Sequence, residues 1–396
     1  MEYRRFGRTE IRMPVFSCGG MRYQHQWVDC PLSEVPGENQ ANLESTIRRS
    51  LELGINHIET ARGYGSSERQ LGVLLPTLPR DEITVQTKIT PNPDPKKFRE
   101  EFLDSLHRLQ LDHVDLLGLH GINTYERLHW SIRPGGCLSV ARDLVREGKV
   151  KHVGFSTHAE LDLIRAAIAH DRDGGFDYVN LHWYYIFQRN WPAIEDATKA
   201  DMGVFIISPA DKGGMLYAPP EKLTQLCEPL HPLVMNCLFC LDRPEVHTLS
   251  LGASCPEDFD LQCSSLEFRD QSRELLPPIV QRLDEAQRMA VGSEVADRYL
   301  DGLPLWHDTP SYQNIPVMLW LRQLALAFDM REYAKMRYNL LGHGGHWFGG
   351  LNAASFDEEE LIKACKSSPF AEQIPDWLRE THGMLFAEPE KRLSES

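Results

Sequence analysis

Four side chains of unlike chemistry stand where short apolar runs of the sequence end. The run ending IETARGYG carries Glu59 and Tyr64, the next, ending QTKI, carries Lys88, and the one ending LLGLHG carries His120. A phenol ordinarily titrates near about 10, too weak an acid to protonate a carbonyl oxygen well at neutral pH. An ammonium beside it favours the phenolate and so makes the phenol a better proton donor. In such a set Glu59 holds and charge-balances Lys88, while His120 orients a carbonyl group. Singly, each residue has a plainer account: a strand-end surface lysine, a structural histidine, a tyrosine packed in a loop. Their coincidence at the same end of three consecutive runs favours the chemical reading.

The elements that must position these groups follow from the spacing. Strand-like runs recur at 15–20, 57–61, 84–89, 114–120, 152–157, 178–183, 203–209 and 246–252. Amphipathic stretches lie between them, among them 38–54, 95–110, 159–170 and 191–202. In the second, Phe98, Phe102, Leu106 and Leu109 recur at helical spacing. Strands alternating with helices require parallel crossovers, and eight of them in roughly 240 residues is the count of a (β/α)8 TIM barrel. Residues 3–14 read as an N-terminal β-hairpin turning near Gly7. Beyond residue 268 the alternation stops, and 273–299, 315–338 and 357–365 read as helices, with a glycine-rich turn at 342–350. The expected organisation is therefore a barrel over 1–268 and an α-helical C-terminal extension over 269–396.

Composition narrows the function classes. The 396 residues carry 42 basic and 57 acidic side chains, a net charge of −15, which argues against a general nucleic-acid or anionic-membrane surface. No apolar run approaches the ~20 residues of a membrane span. The opening MEYRRFGRTE offers no apolar signal core, and nine cysteines in largely apolar surroundings read as reduced thiols, so a cytoplasmic location is expected. Cys237 and Cys240 lack a second matching pair and read as buried thiols rather than a zinc site. His343 and His346 in the glycine-rich turn read as plain loop, and no metal is expected.

The segments ETARGYGSSERQLG, VQTKI, LDHVDLLGLHG, VGFSTH and ISPADKGG, in this order over about residues 1–265, resemble the aldo-keto reductases. The resemblance implies a nicotinamide-dependent reduction of a small carbonyl compound, with Tyr64 as general acid, Lys88 as its partner and His120 orienting the substrate. Glu59 stands where the family usually has the shorter Asp, so Glu59→Asp is expected to be mild or activating. Ser156 and Thr157 match the positions that hold the nicotinamide carboxamide, and Asn180 a position where Gln is common. Ser208, Lys212 and Gly213 match the segment that cradles the pyrophosphate, and Ser254 opens the segment that receives the adenosine end. Asp258 falls about where relatives place a basic residue, and 254–262 holds three acids and no Lys or Arg. NADPH is the expected cofactor, with NADH a real alternative.

The loop at 22–39 and the aromatics Trp183, Tyr184, Tyr185 and Phe187 read either as pocket wall or, for the aromatics, as packing against the C-terminal helices. The stretch NIPVMLWLRQLALAFDMREYAKMRYNL resembles the helical part of family members that carry a ferredoxin-like [4Fe–4S] module. Such a cluster needs a full set of thiolates, and Cys365 is the single cysteine after residue 270, so no cluster is expected. A second reading is a catalytically weak, cofactor-binding regulatory or assembly subunit on the same fold, with a protein partner engaged through the tail.

Overall fold

The computed structural model describes residues 1–343 and 348–387. Among the described residues ten strands follow one another: β1 (Tyr3–Arg5), β2 (Arg12–Pro14), β3 (Phe16–Gly19), β4 (His57–Glu59), β5 (Thr84–Ile89), β6 (Val114–Leu119), β7 (Val150–Ser156), β8 (Tyr178–Leu181), β9 (Gly203–Ile206) and β10 (Thr248–Leu251). The first two form the expected antiparallel hairpin, Tyr3 opposite Pro14. The other eight close into a parallel barrel in sequence order, β10 pairing with both β9 and β3. This is the (β/α)8 architecture that the alternating runs require.

Strand alternation decides what fills the barrel. Its floor is apolar: Phe6 and Met13, brought by the hairpin, pack with Leu116, Tyr178 and Phe205. Above lies a polar layer in which Ser17 Oγ sits 2.6 Å from His57 Nδ1 and 2.8 Å from Thr248 Oγ1, and Gln86 donates to the Tyr178 hydroxyl. The opposite faces of the same strands are held by helices. Thr87 donates to the buried Glu68 of helix Ser67–Leu74, and Ser105 of helix Pro95–Leu109 donates to its other oxygen at 3.0 Å. Asp94 caps that second helix by accepting from Lys96 N.

The chain divides into two compact units, the first comprising residues 1–213 and 236–270 with the barrel, the second residues 214–235 together with the helices from 271 onward. In the second unit the single helical blocks read at 273–299 and 315–338 are each broken. Ser272–Val291 stops at Gly292 (φ +87°), and Ile315–Phe328 stops at Asp329 in the left-handed conformation, before Arg331–Tyr338 begins. Ile315–Phe328 is apolar on nearly all sides, so its periodicity carries no mark of the break. The Asn314 side chain caps it by accepting from Val317 N. Tyr338 Oη accepts from Ala353 N and lies 2.8 Å from His382 Nδ1, tying the later helices together. No helix among the described residues is long and apolar enough to cross a membrane.

Candidate active site

Lys88 crosses the barrel interior from β5 and is only 2% exposed. Gly118, its register partner on β6, makes the crossing possible, since a Cβ there would lie 3.1 Å from Lys88 Cγ. The ammonium is ion-paired to Glu59 Oε2, donates to the Thr60 carbonyl at 2.8 Å and lies 3.3 Å from the Tyr64 hydroxyl. The backbone fixes these ends together: Thr60 N donates to Gln86 O, Arg62 N to Lys88 O and His120 N to Ile89 O. Tyr64 sits on a tight turn, its N–H donating to Ala61 O, with Gly65 at φ +50°. Its ring meets His120 edge-on at 5.6 Å and Trp27 at 6.1 Å. The four residues singled out from strand ends do converge.

Burial disfavours the Lys88 ammonium, but Glu59 and Tyr64 outweigh it and hold the pKa above the ordinary lysine value. Burial pushes the Tyr64 phenol up, against the pull of Lys88. The pull of Lys88 is in the expected direction, and burial outweighs it. The phenol is neutral at pH 7 and has a proton to give. His120 is pushed down to about 3 by burial, then by the charges of Lys88, Arg127 and Lys212, and is neutral as well.

Ser156 and Asn180 are register partners on β7 and β8. Ser156 Oγ accepts from Gly121 N, and Thr157 Oγ1 donates to Ile122 O and accepts from Ala159 N, so both hydroxyls are engaged by the backbone. Asn180 differs: it is fully buried, and neither its Oδ1 nor its Nδ2 has a hydrogen-bond partner. A buried primary amide left with both functions unsatisfied is costly and matches the donor–acceptor pair of a carboxamide. A nicotinamide therefore fits the residues present. Ser208 has φ +54°, and its carbonyl accepts from Lys212 N and Gly213 N, folding the loop into a tight turn. A Cβ at Gly213 would lie 1.9 Å from Pro209 O.

Ser254 and Asp258 are brought together in a way the sequence did not indicate. Asp258 Oδ2 accepts from both Ser254 N and Ser254 Oγ at 2.7 Å, while Asn42 donates to Ser254 O. Burial works against the Asp258 carboxylate, yet the two Ser254 bonds and the charge of Arg22 hold its pKa below the ordinary range. Trp183 stacks on Phe239 at 4.9 Å and meets Trp191 at 5.0 Å, and Tyr185 meets Phe239 edge-on. Tyr184 donates to Ile207 O and heads a chain through His182 to His158, with 2.5 Å at each histidine contact. Sequence alone singles out neither that chain nor Ser250, whose hydroxyl donates to Glu59 Oε1 at 3.1 Å. Their signals were a histidine closing GFSTH and a serine at an inward position of β10. Among the described residues no group of three or more His, Cys, Asp or Glu is placed to hold a metal ion. His346 lies outside the described residues.

Comparison with known proteins agrees with this geometry. Residues 16–216 match the sequence model of the Aldo/keto reductase family, and the chain belongs to that family. Among curated relatives, an L-galactose dehydrogenase of Arabidopsis thaliana is 27% identical over 239 residues, covering 58% of this chain and 68% of the relative. An NADH-specific methylglyoxal reductase of Escherichia coli K12 is 29% identical over 159 residues, covering 31% of this chain and 46% of the relative. Among solved structures, an aldo-keto reductase of Bacillus halodurans in its holo form superposes with a TM-score of 0.56 at 20% identity, covering 69% of this chain and 96% of that one. At that identity the likeness establishes the fold.

Proposed function

We propose that the protein is an NAD(P)H-dependent reductase that converts the carbonyl group of a small molecule to an alcohol. The observation that carries this is the buried Lys88 ammonium held between the Glu59 carboxylate, the Thr60 carbonyl and the Tyr64 hydroxyl. Tyr64 donates its proton to the carbonyl oxygen, and the adjacent ammonium stabilises the phenolate left behind. Glu59 keeps Lys88 charged and in place. His120, neutral and edge-on to Tyr64, orients the carbonyl. Asn180, with Ser156 and Thr157 beside it, would hold the nicotinamide, Ser208, Lys212 and Gly213 the pyrophosphate, and Ser254 and Asp258 would border the adenosine end. When bound there, a reduced nicotinamide would supply the hydride.

The same reading carries no iron–sulfur cluster in the C-terminal extension and a cytoplasmic location. Nine free cysteines, seven of them buried, support a reduced compartment. Two steps test the proposal. Fluorescence titration with NADPH and NADH measures binding, and a panel of aldehydes and ketones, methylglyoxal and aldoses among them, measures turnover with each cofactor. Turnover lost on Tyr64→Phe supports the reductase. Tight binding without turnover on the whole panel supports the cofactor-binding subunit instead.

A further inference from the structure

Glu59 uses its two carboxylate oxygens in opposite directions. Oε2 is paired with Lys88 on β5, the neighbouring strand on one side. Oε1 accepts from Ser250 Oγ at 3.1 Å, and Ser250 lies on β10, two strands away on the other side. The strand between them is β3, and the residue beside Glu59 in its register is Gly19. A Cβ at Gly19 would lie 2.7 Å from Ser250 Oγ, 3.0 Å from Leu251 O and 3.3 Å from Glu59 Oε1. The absence of a side chain on β3 is therefore what lets the carboxylate reach over it.

We propose that Ser250 is a positioning residue for the Lys88–Tyr64 pair, anchoring the far oxygen of Glu59 across the gap left by Gly19, so that the site is built for glutamate. This rests on the reductase reading given above. An aspartate is shorter by one methylene, about 1.5 Å, and its carboxylate cannot span from β5 to β10. It would keep the charged partner, Lys88, and lose Ser250. A carboxylate fixed at one oxygen only is free to swing about its remaining contact, and Lys88 swings with it. The Lys88–Tyr64 contact at 3.3 Å is already long, so small displacements decide whether the ammonium acts on the phenol. Glu59→Asp is then damaging, the opposite of the expectation drawn from the family pattern.

The test reads Tyr64 directly. In protein labelled at tyrosine 13Cζ, the Tyr64 signal is assigned by its loss in Tyr64→Phe, and Lys88→Met gives its position when the ammonium is gone. Ser250→Ala and Gly19→Ala should each move the signal part of the way to that position, and Ser250→Thr, which keeps the hydroxyl, should return it. With a carbonyl substrate, both alanine variants should lose kcat by about tenfold, the scale of one hydrogen bond to a charged group, with KM nearly unchanged. Adding Ser250→Ala to Glu59→Asp should cost little more, because the bond it removes is already gone. A Tyr64 signal unmoved in both alanine variants, or equal losses from Ser250→Ala with and without Glu59→Asp, overturns the proposal. The spectroscopic arm needs no turnover, so a protein that reduces no carbonyl fails the reductase reading while this arm still decides the role of Ser250. Thermal melting confirms that each variant folds, and Gly19→Ala serves if Ser250→Ala does not.

Discussion

The Lys88 ammonium lies 3.3 Å from the Tyr64 hydroxyl and 4.7 Å from the centre of its ring. The lysine thus faces both the oxygen and the π-system of the residue proposed to give up a proton. Its own solvation is replaced by Glu59 and the Thr60 carbonyl. A buried charge is tolerated when paired and hydrogen-bonded, and removing one partner of such a pair is costly.

Tyr64→Phe should lower kcat by about 10² to 10⁴, the usual worth of a positioned general acid, while the Kd for the nicotinamide nucleotide stays within about twofold. In the proposed mechanism the phenol donates to substrate and takes no part in holding the dinucleotide. Steady-state kinetics and fluorescence titration check the two halves. A variant keeping more than a tenth of the parent kcat removes Tyr64 from the mechanism.

Lys88→Met should cost turnover comparably, and it should also cost stability, because the Glu59 carboxylate would be left buried without its cation. A stabilising second change is expected from Glu59→Gln, which replaces that carboxylate by a neutral amide. Melting curves of the two single variants and the double variant give the comparison. A double variant less stable than Lys88→Met alone would mean that Glu59 is not charge-balanced by Lys88.

Three histidines should set the acid side of the stability profile. Burial, followed by nearby positive charge, holds His57 and His120 down to about 3 and His247 to about 4. The unfolded chain takes up these protons near pH 6.5 and the folded one does not, so between those values the unfolded state binds more protons. Stability from this source is complete above about pH 6.5 and is lost as pH falls toward 4. His57→Gln keeps the bulk in the polar layer beside Ser17 and should flatten the melting temperature between pH 7 and 5. An unchanged slope in that variant would assign the acid sensitivity elsewhere.

The convergence of Glu59, Tyr64, Lys88 and His120 was legible because polar residues at the ends of consecutive apolar runs must share one rim of a parallel barrel. What lay hidden depends on distances across the barrel or on burial. Ser250 is a single serine in TLSL, and nothing in sequence says that it meets Glu59 over Gly19. The sequence names Lys88 as the neighbour that lowers the phenol's pKa but not the burial that outweighs it. Ser254 matched a ligand-holding position, yet its hydroxyl and N–H are both given to Asp258.

The protein as isolated should contain neither iron nor acid-labile sulfide, even when purified without oxygen. A [4Fe–4S] cluster draws on several thiolates brought to one place, and from residue 270 onward the chain has Cys365 alone. Iron analysis and the visible spectrum check this, and a stoichiometric iron content would overturn it.

The choice between NADPH and NADH turns on Asp258. Family resemblance puts it near the 2′-phosphate, where a carboxylate repels the dianion but accepts hydrogen bonds from a free ribose, as in NAD sites of other folds. The structure modifies this in two ways. One oxygen of Asp258 is occupied by Ser254 at 2.7 Å, so replacing the residue also loosens that turn. Arg22, whose Nη1 donates to Gly252 O at 3.3 Å, opposes its charge from the loop that follows β3. The wild-type protein should therefore use both nucleotides, NADPH with less than the usual advantage. Asp258→Asn removes the charge and keeps an acceptor for Ser254, and should shift the ratio of kcat/KM values toward NADPH by roughly tenfold. Arg22→Gln should shift it toward NADH. Kinetics with both nucleotides on one carbonyl substrate decide the matter. A thousandfold preference for NADPH in the parent, unchanged by Asp258→Asn and Arg22→Gln, would place phosphate recognition away from these two residues.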